Sequence, residues 1–135
     1  MNLLVDTHIA LWAISDSPKL SSKARELISD PDNNIFFSAV SAWEVLMKHD
    51  APHTSLALTA SEFIRYCEES GYFQVSMSNK HVAAAAELDV STAEKHNHKD
   101  PFDRLLLAQA KTENYAFVTH DPAFDYYHEK CVILV

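Results

Sequence analysis

Short, mostly apolar runs recur along the chain and are separated by longer stretches of mixed polarity. Such runs are typical of strands in a parallel sheet that is covered on both faces. They predict five strands, at residues 2–5, 35–37, 72–75, 115–119 and 131–134.

Helix signals occupy the stretches between these runs. Thr59 and Glu62 form a capping-box pattern, and Pro101 directly after Asp100 is typical of a helix start. Apolar residues at helical spacing predict the bodies of the helices. One predicted helix follows the first strand directly, and the others cover residues 21–30, 42–49, 59–71, 79–88 and 100–113. Residues 50–58 are predicted to be irregular, and the polar stretch 89–99 is predicted to be a mobile loop.

The alternation of strands and helices predicts an α/β fold. We expect a three-layer α/β/α sandwich around a mostly parallel, five-stranded sheet. The 135 residues, of which 47% are hydrophobic, suffice for one domain with a core, so residues 1–135 are predicted to form a single domain. Cys67, Cys131, Trp12 and Trp43 are predicted to belong to that core.

The glycine count excludes several classes of phosphate-binding protein. Gly71 is the single glycine, so neither a glycine-rich phosphate loop nor a dinucleotide-binding fingerprint can be formed. No apolar run approaches the ~20 residues of a membrane span. The N-terminus carries no basic segment before its apolar run, so no secretory signal is predicted and residence in the cytoplasm is expected.

Acidic residues stand at corresponding places around the predicted strands. Asp6 ends the first strand, and Glu44 lies in the helix after the second. Asp100 and Asp103 open the helix before the fourth strand, which Asp121 follows by two residues. Right-handed crossovers bring the carboxyl ends of parallel strands to one edge, so these carboxylates are expected to share a cleft. A hard divalent cation such as Mg²⁺ would relieve their repulsion.

Most of these acids also have a structural explanation. Asp100 and Asp121 precede prolines and suit helix caps, while Glu44 and Asp103 suit the dipole at a helix start. Asp6 is harder to explain, because a charge beside a buried strand requires a partner or a metal. For the two neighbouring acids, the hypothesis is that Asp100 caps the helix and that Asp103 binds metal.

The net charge of −8 leaves two interpretations open. An acidic protein usually avoids nucleic acid, because phosphate binding depends on basic residues. Alternatively, the negative charge is local and is neutralised by bound cations. His8 and His120 flank the proposed acids and are predicted to contact the substrate or the groups around the metal.

Four blocks of the sequence resemble the PIN-domain family and, within it, the VapC-type toxin ribonucleases of toxin–antitoxin pairs. The resemblance extends from the first strand almost to the C-terminus, and its specificity comes from the order of the blocks. The matching blocks are LVDTH at 4–8 with Leu11 and Trp12, SAVSAWEV at 38–45 with Lys48, HKDPFDRLLLAQA at 98–110, and FVTHD at 117–121 with Phe124.

The resemblance implies a Rossmann-like sandwich and an endoribonuclease that depends on Mg²⁺ or Mn²⁺. By motif, the catalytic and metal-binding roles fall on Asp6, Glu44, Asp103 and Asp121. Side chains near them are candidates for contact with metal-bound water or the RNA substrate: Thr7, His8, Ser41, Asp100, Arg104, Thr119 and His120. The resemblance also implies a homodimer and a small antitoxin protein that covers the active cleft.

Three other functions remain open from the sequence. The abundant histidines suit a ribonuclease that uses His and Lys without a metal. A catalytically silent PIN-like module that binds RNA or protein is the main alternative, and the intact acid set argues against it. A receiver-type phosphoacceptor domain normally needs two acids after its first strand, whereas Asp6 is followed by Thr7.

Overall fold

A five-stranded sheet forms the centre of the molecule in a computed structural model that describes residues 1–53 and 56–135. All neighbouring strands are parallel, and their spatial order is β3-β2-β1-β4-β5. This confirms the predicted sheet. The strands are β1 (Asn2–Val5), β2 (Asn34–Ser38), β3 (Phe73–Val75), β4 (Ala116–Thr119) and β5 (Val132–Leu134).

Helices cover both faces of the sheet. A short 3₁₀ helix, Pro122–Tyr127, follows β4. The α-helices are α1 (Thr7–Ile14), α2 (Ser22–Ser29), α3 (Ala39–Asp50), α4 (Ala60–Glu69), α5 (Asn79–Glu87), α6 (Ser91–Lys95) and α7 (Pro101–Glu113).

Two apolar clusters, one on each face of the sheet, form the core. Successive side chains of a strand point to opposite faces, so β1 contributes to both clusters. Leu3 and Val5 pack in the cluster that includes Phe63 of α4, whereas Leu4 packs in the cluster that includes Leu106 of α7. This division of β1 between two helical layers confirms the predicted three-layer α/β/α sandwich.

The strand order brings the acids together. β1 lies between β2 and β4, so the segments that leave these three strands start side by side at the carboxyl edge of the sheet. Asp6 follows β1 and Asp121 follows β4, while α3, which carries Glu44, starts directly after β2. Helix α7 leads into β4, which places its N-terminus, with Asp103, at the same edge.

Three local predictions were wrong. The predicted loop 89–99 contains α6, which is too short to show helical periodicity and is held by the buried Ala93 and by the bond from His98 N to Ala93 O, 2.8 Å long. Helix α3 starts at Ala39, so Glu44 lies beyond its first turn and the helix-dipole explanation does not apply. Trp43, which was predicted in the core, is 54% exposed.

Other parts of the prediction differ less. Cys67 is buried, whereas Cys131 and Trp12 are partly buried and pack against the core clusters. Within the stretch predicted to be irregular, Asp50 belongs to α3, and residues 54 and 55 lie outside the described residues. Among the described helices, none has the length and apolar character needed to cross a bilayer.

Candidate metal centre at the carboxyl edge of the sheet

The predicted acids line one small cavity. Its volume is about 130 Å³, and it lies where the segments after β1, β2 and β4 meet the start of α7. Four further residues complete the wall, namely Thr7, His8, Lys48 and Phe124. This acidic cavity is lined by the carboxylates of Asp6, Glu44, Asp100, Asp103 and Asp121.

Asp6 is held by two hydrogen bonds at the start of α1. Its Oδ1 accepts from the backbone N–H of Ile9 at 2.9 Å and thereby caps the helix. Its Oδ2 accepts from the Thr119 hydroxyl, whose oxygen also accepts from the backbone N–H of Asp121 at 3.1 Å. Burial raises the pKa of Asp6, although both hydrogen bonds act to lower it. Thr119 therefore ties two of the acids together.

Glu44 is oriented by residues of α1 and α3. The Thr7 hydroxyl donates to its Oε1 at 2.7 Å and lies 2.9 Å from the Ser41 hydroxyl. Lys48, one turn further along α3, places Nζ 2.9 Å from Oε2 of the same carboxylate. The carboxylate is therefore fixed on both sides, and a lysine lies in the wall of the acidic cavity.

Asp103 is a partly buried acid whose protonation is strongly perturbed. Burial raises its pKa to about 8, and the negative charges of Asp100, Glu44, Asp6 and Asp121 add to the effect. A carboxyl with this pKa is mostly protonated at neutral pH. Burial is the larger cause of the shift, and the contribution from four neighbouring carboxylates supports the interpretation of this cavity as a cation site.

His98 is a site residue that the sequence analysis did not select. Its Nε2 lies 3.1 Å from Asp103 Oδ2, and its Nδ1 lies 3.2 Å from the Tyr127 hydroxyl. One ligand atom from each of His98, Asp103 and Asp121 lies within 4.8 Å of the others, a spacing that suits a shared cation. The available sequence signal was its place at the start of the block at 98–110.

Lys48 was likewise missed as a site residue. The sequence analysis includes it only as a residue of the second matching block, with no role assigned. A lysine four residues after a glutamate is typical of an exposed helical ion pair. Its partner Glu44 is instead only 6% exposed.

The remaining predicted residues lie around the cavity rather than in its wall. Ser41 and Thr119 are buried and act through their hydrogen bonds to Thr7 and Asp6. Arg104 donates from Nε to the backbone oxygen of Ala85 at 2.9 Å and lines a separate cavity of about 440 Å³. His120 lines a third cavity of about 320 Å³, to which Asp6 also contributes.

Helix capping does not separate metal ligands from structural acids in this site. Asp6, Asp100 and Asp121 all cap the elements that follow them. For Asp100, a single oxygen accepts from the backbone N–H groups of Phe102 and Asp103, at 2.9 and 3.3 Å. The second oxygen takes no part in the cap, so capping alone does not prevent Asp100 from binding a metal. The division of roles between Asp100 and Asp103 therefore stays a prediction.

Replacement of Asp100 by alanine is expected to destabilise the protein by about 0.5–2 kcal/mol, because two N–H groups of α7 lose their cap. Asp100→Asn keeps a capping oxygen, so its free energy of unfolding is expected to stay close to that of the wild type. Urea unfolding of both variants measures the difference. Equal losses for Ala and Asn would contradict a capping role and would indicate that the negative charge itself is required.

Comparisons with known proteins agree with this architecture. The PIN domain family model matches residues 3–130. A comparison with curated proteins finds no match. Solved structures that resemble the chain include VapBC2 from Rickettsia felis bound to a promoter DNA fragment, with a TM-score of 0.68, 20% identity and coverage of 100% of this chain and 98% of the other.

Two further structures have the same fold at low identity. VapBC-1 from nontypeable Haemophilus influenzae gives a TM-score of 0.67 at 14% identity and covers 99% of this chain and 98% of its own. A toxin–antitoxin complex from Klebsiella pneumoniae gives 0.57 at 19% identity, with 97% and 95% covered. Because the family model spans nearly the whole sequence, the chain belongs to the PIN domain family.

Proposed function

We propose that the chain is an endoribonuclease of the VapC type that depends on Mg²⁺ or Mn²⁺. The observation that carries the proposal is the acidic cavity, in which four other carboxylates lie around the partly buried Asp103, whose pKa is raised to about 8. Oxygen-rich sites of this kind suit hard divalent cations, and a cation there would remove the repulsion between the acids. The donor set therefore fits the metal that the family implies.

The metal ligands in this proposal are Asp6, Glu44, Asp103 and Asp121. When bound, the metal supplies an activated water and stabilises negative charge on the phosphodiester. The chain's own groups prepare the ligands: Thr119 holds Asp6, and Thr7 holds Glu44. Lys48 neutralises part of the charge on Glu44 and lies close enough to the cavity to contact a phosphate oxygen of the substrate.

RNA cleavage with Mg²⁺, with Mn²⁺ and with chelator tests the function directly. Attack by water is expected to leave 5′-phosphate and 3′-hydroxyl ends, and chelator is expected to abolish cleavage. Cyclic phosphate ends that persist in chelator would contradict the proposal and would favour a ribonuclease that uses His and Lys. RNA that binds but stays intact in both metals would favour the silent binding module.

We further propose a cognate antitoxin as the partner of this chain. Support comes from the toxin–antitoxin complexes among its structural neighbours and from the surface beside the acidic cavity. A groove of about 720 Å³ shares His8 and Lys48 with that cavity and carries apolar side chains such as Leu11, Leu56 and Leu58. An amphipathic segment would fill the groove, and an arginine on it would pair with the carboxylates.

Purification of the protein from its native source at endogenous level tests the partner. The expected result is a complex with a small protein that carries a basic segment, since the chain itself has a net charge of −8. A lone protein with full ribonuclease activity in the cell would contradict this.

Self-association into a homodimer is also proposed, supported by the exposed Trp43 and Met47, which lie one turn apart on α3.

A further inference from the structure

Three aromatic rings form a cluster at the rim of the acidic cavity. Trp12 lies on α1, one turn after His8, and the two ring centroids are 5.7 Å apart. His120 comes from the segment after β4 and meets Trp12 edge-to-face at 5.5 Å. Neither histidine acts as a proposed metal ligand, and the cleavage reaction proposed above gives no role to Trp12, which also lines the groove proposed for the antitoxin.

These rings face a space that opens onto the acids. A cavity of about 320 Å³ is lined by all three rings and by Pro122, and two of the acids, Asp6 and Asp121, complete its wall. Asp6, His8 and Asp121 also line the acidic cavity, so the two cavities adjoin. The larger one has the volume of roughly ten water molecules, which is enough for one planar base.

His120 is held in a defined orientation. Its Nδ1 lies 2.9 Å from the main-chain oxygen of Val135, the residue after β5. An oxygen of this kind only accepts, so Nδ1 carries the proton and donates. In the neutral ring, Nε2 is then the acceptor, a group that can bind an N–H or exocyclic amino group of a base.

We propose that His8, Trp12 and His120 form a nucleobase subsite, which stacks the base of a nucleotide next to the cleaved phosphodiester. The inference rests on the ribonuclease function proposed above and names its substrate class, single-stranded RNA with an unstacked base. Aromatic side chains bind such bases on their faces, largely independently of sequence.

The charge of the protein favours this mode of binding. The chain carries a net charge of −8, and among the described residues that line the acidic cavity Lys48 alone is a lysine or arginine. Contacts to the phosphate backbone therefore contribute little affinity. Base stacking needs no positive charge, and it places the scissile phosphate beside Asp6 and Asp121, which share a wall with the rings.

Tryptophan fluorescence measures the subsite without relying on activity. The sequence contains two tryptophans, so a Trp43→Phe protein reports on Trp12 alone. A single-stranded RNA of about eight nucleotides, added in Ca²⁺, is expected to quench this fluorescence. For an RNA whose cleavage position is known, an abasic residue beside the cut is expected to weaken binding by about 5- to 150-fold.

Trp12→Ala in the protein and the abasic residue in the RNA are the two changes of a double-mutant cycle. Its affinity for intact RNA is expected to fall by a similar factor, and the abasic penalty is expected to disappear, because the stacking partner is already gone. Trp12→Phe is expected to restore much of the affinity, which controls for loss of fold. Phe73→Ala, which removes a half-exposed aromatic ring from β3, is the surface control. The abasic series on the Trp43→Phe protein stays informative even if Trp12→Ala is unstable.

Two outcomes would overturn the subsite, namely bound RNA that leaves Trp12 fluorescence unchanged, or an abasic penalty that is equal in the Trp12→Ala protein. A protein that has the subsite but is not a ribonuclease gives a different result. In that case RNA quenches Trp12 but is not cleaved in Mg²⁺ or Mn²⁺, and the subsite belongs to a binding module.

Discussion

Asp103→Asn is expected to reduce RNA cleavage by at least about 100-fold and to raise, not lower, the free energy of unfolding of the metal-free protein at neutral pH. Loss of a residue that only supports a metal ligand already costs 10- to 100-fold in activity or metal affinity, so loss of a proposed ligand is expected to cost more. Stability is expected to rise because the pKa of Asp103 is about 8, so the folded wild type must hold a proton that its unfolded state has lost at neutral pH. Asparagine therefore replaces a carboxyl that is mostly neutral in the metal-free protein and has nearly the same shape.

Asp100→Asn is the matched control for this prediction. It removes one charge from the same cavity, three residues away, and keeps the cap of α7. Cleavage rates and urea unfolding curves of both variants, at pH 7 with saturating Mn²⁺, decide between the two acids. An inactive Asp100→Asn together with an active Asp103→Asn would reverse the proposed roles.

The convergence of the acids could be predicted from the sequence because it depends on topology alone. Parallel strands joined by right-handed crossovers deliver their carboxyl ends to one edge, whatever the details of packing. Asp6 directly follows a strand that is recognisable in the sequence as an apolar run, and Asp121 follows another such strand by two residues. The start of α7 is indicated by Asp100 and Pro101. The convergence of these acids at one edge can therefore be predicted without knowing where any side chain points.

The rest of the site depends on contacts between distant segments, which local patterns do not reveal. His98 belongs to a polar stretch without helical periodicity, and its role arises because the fold brings Asp103 and Tyr127 to its two ring nitrogens. Trp12 resembles a core residue in sequence. Its packing against His120, from a segment more than a hundred positions away, exists only in the folded chain.

The folded structure also gives Arg104 a hydrogen-bond partner that could not be predicted from the sequence. Arg104 directly follows Asp103 and was a candidate for contact with the substrate. Its guanidinium instead donates to the backbone of α5, at Ala85. Adjacent residues on a helix point in different directions, so nearness in sequence to a metal ligand does not place a side chain in the same cavity.

Without metal, the free energy of unfolding is expected to fall as the pH rises from about 4 to about 8. The pKa of Asp103 is about 8 in the folded protein against an ordinary value of 3.8, so between these values the folded state binds a proton that the unfolded state has lost. Stability then decreases by up to about 1.4 kcal/mol per pH unit from this group. Burial raises the pKa of Asp6 as well, which acts in the same direction.

Divalent metal is expected to counteract this loss, because it binds the ionised carboxylates and so releases protons. The stabilisation by Mg²⁺ or Mn²⁺ should therefore grow from pH 6 to pH 8, and it should reach about 2.7 kcal/mol when the metal is at 100 times its dissociation constant. Urea unfolding at several pH values, in metal and in chelator, measures both effects.

Asp103→Asn isolates the contribution of the one carboxyl from all other titrating groups. In chelator, this variant is expected to lose stability less steeply between pH 6 and pH 8 than the wild type and to be the more stable protein from neutral pH upwards, because asparagine neither takes up a proton nor carries a charge in the cavity. Metal is expected to stabilise it weakly at every pH. A wild type whose unfolding is equally insensitive to metal at pH 6 and pH 8, or an Asn variant with an unchanged slope, would show that Asp103 does not carry the cation site.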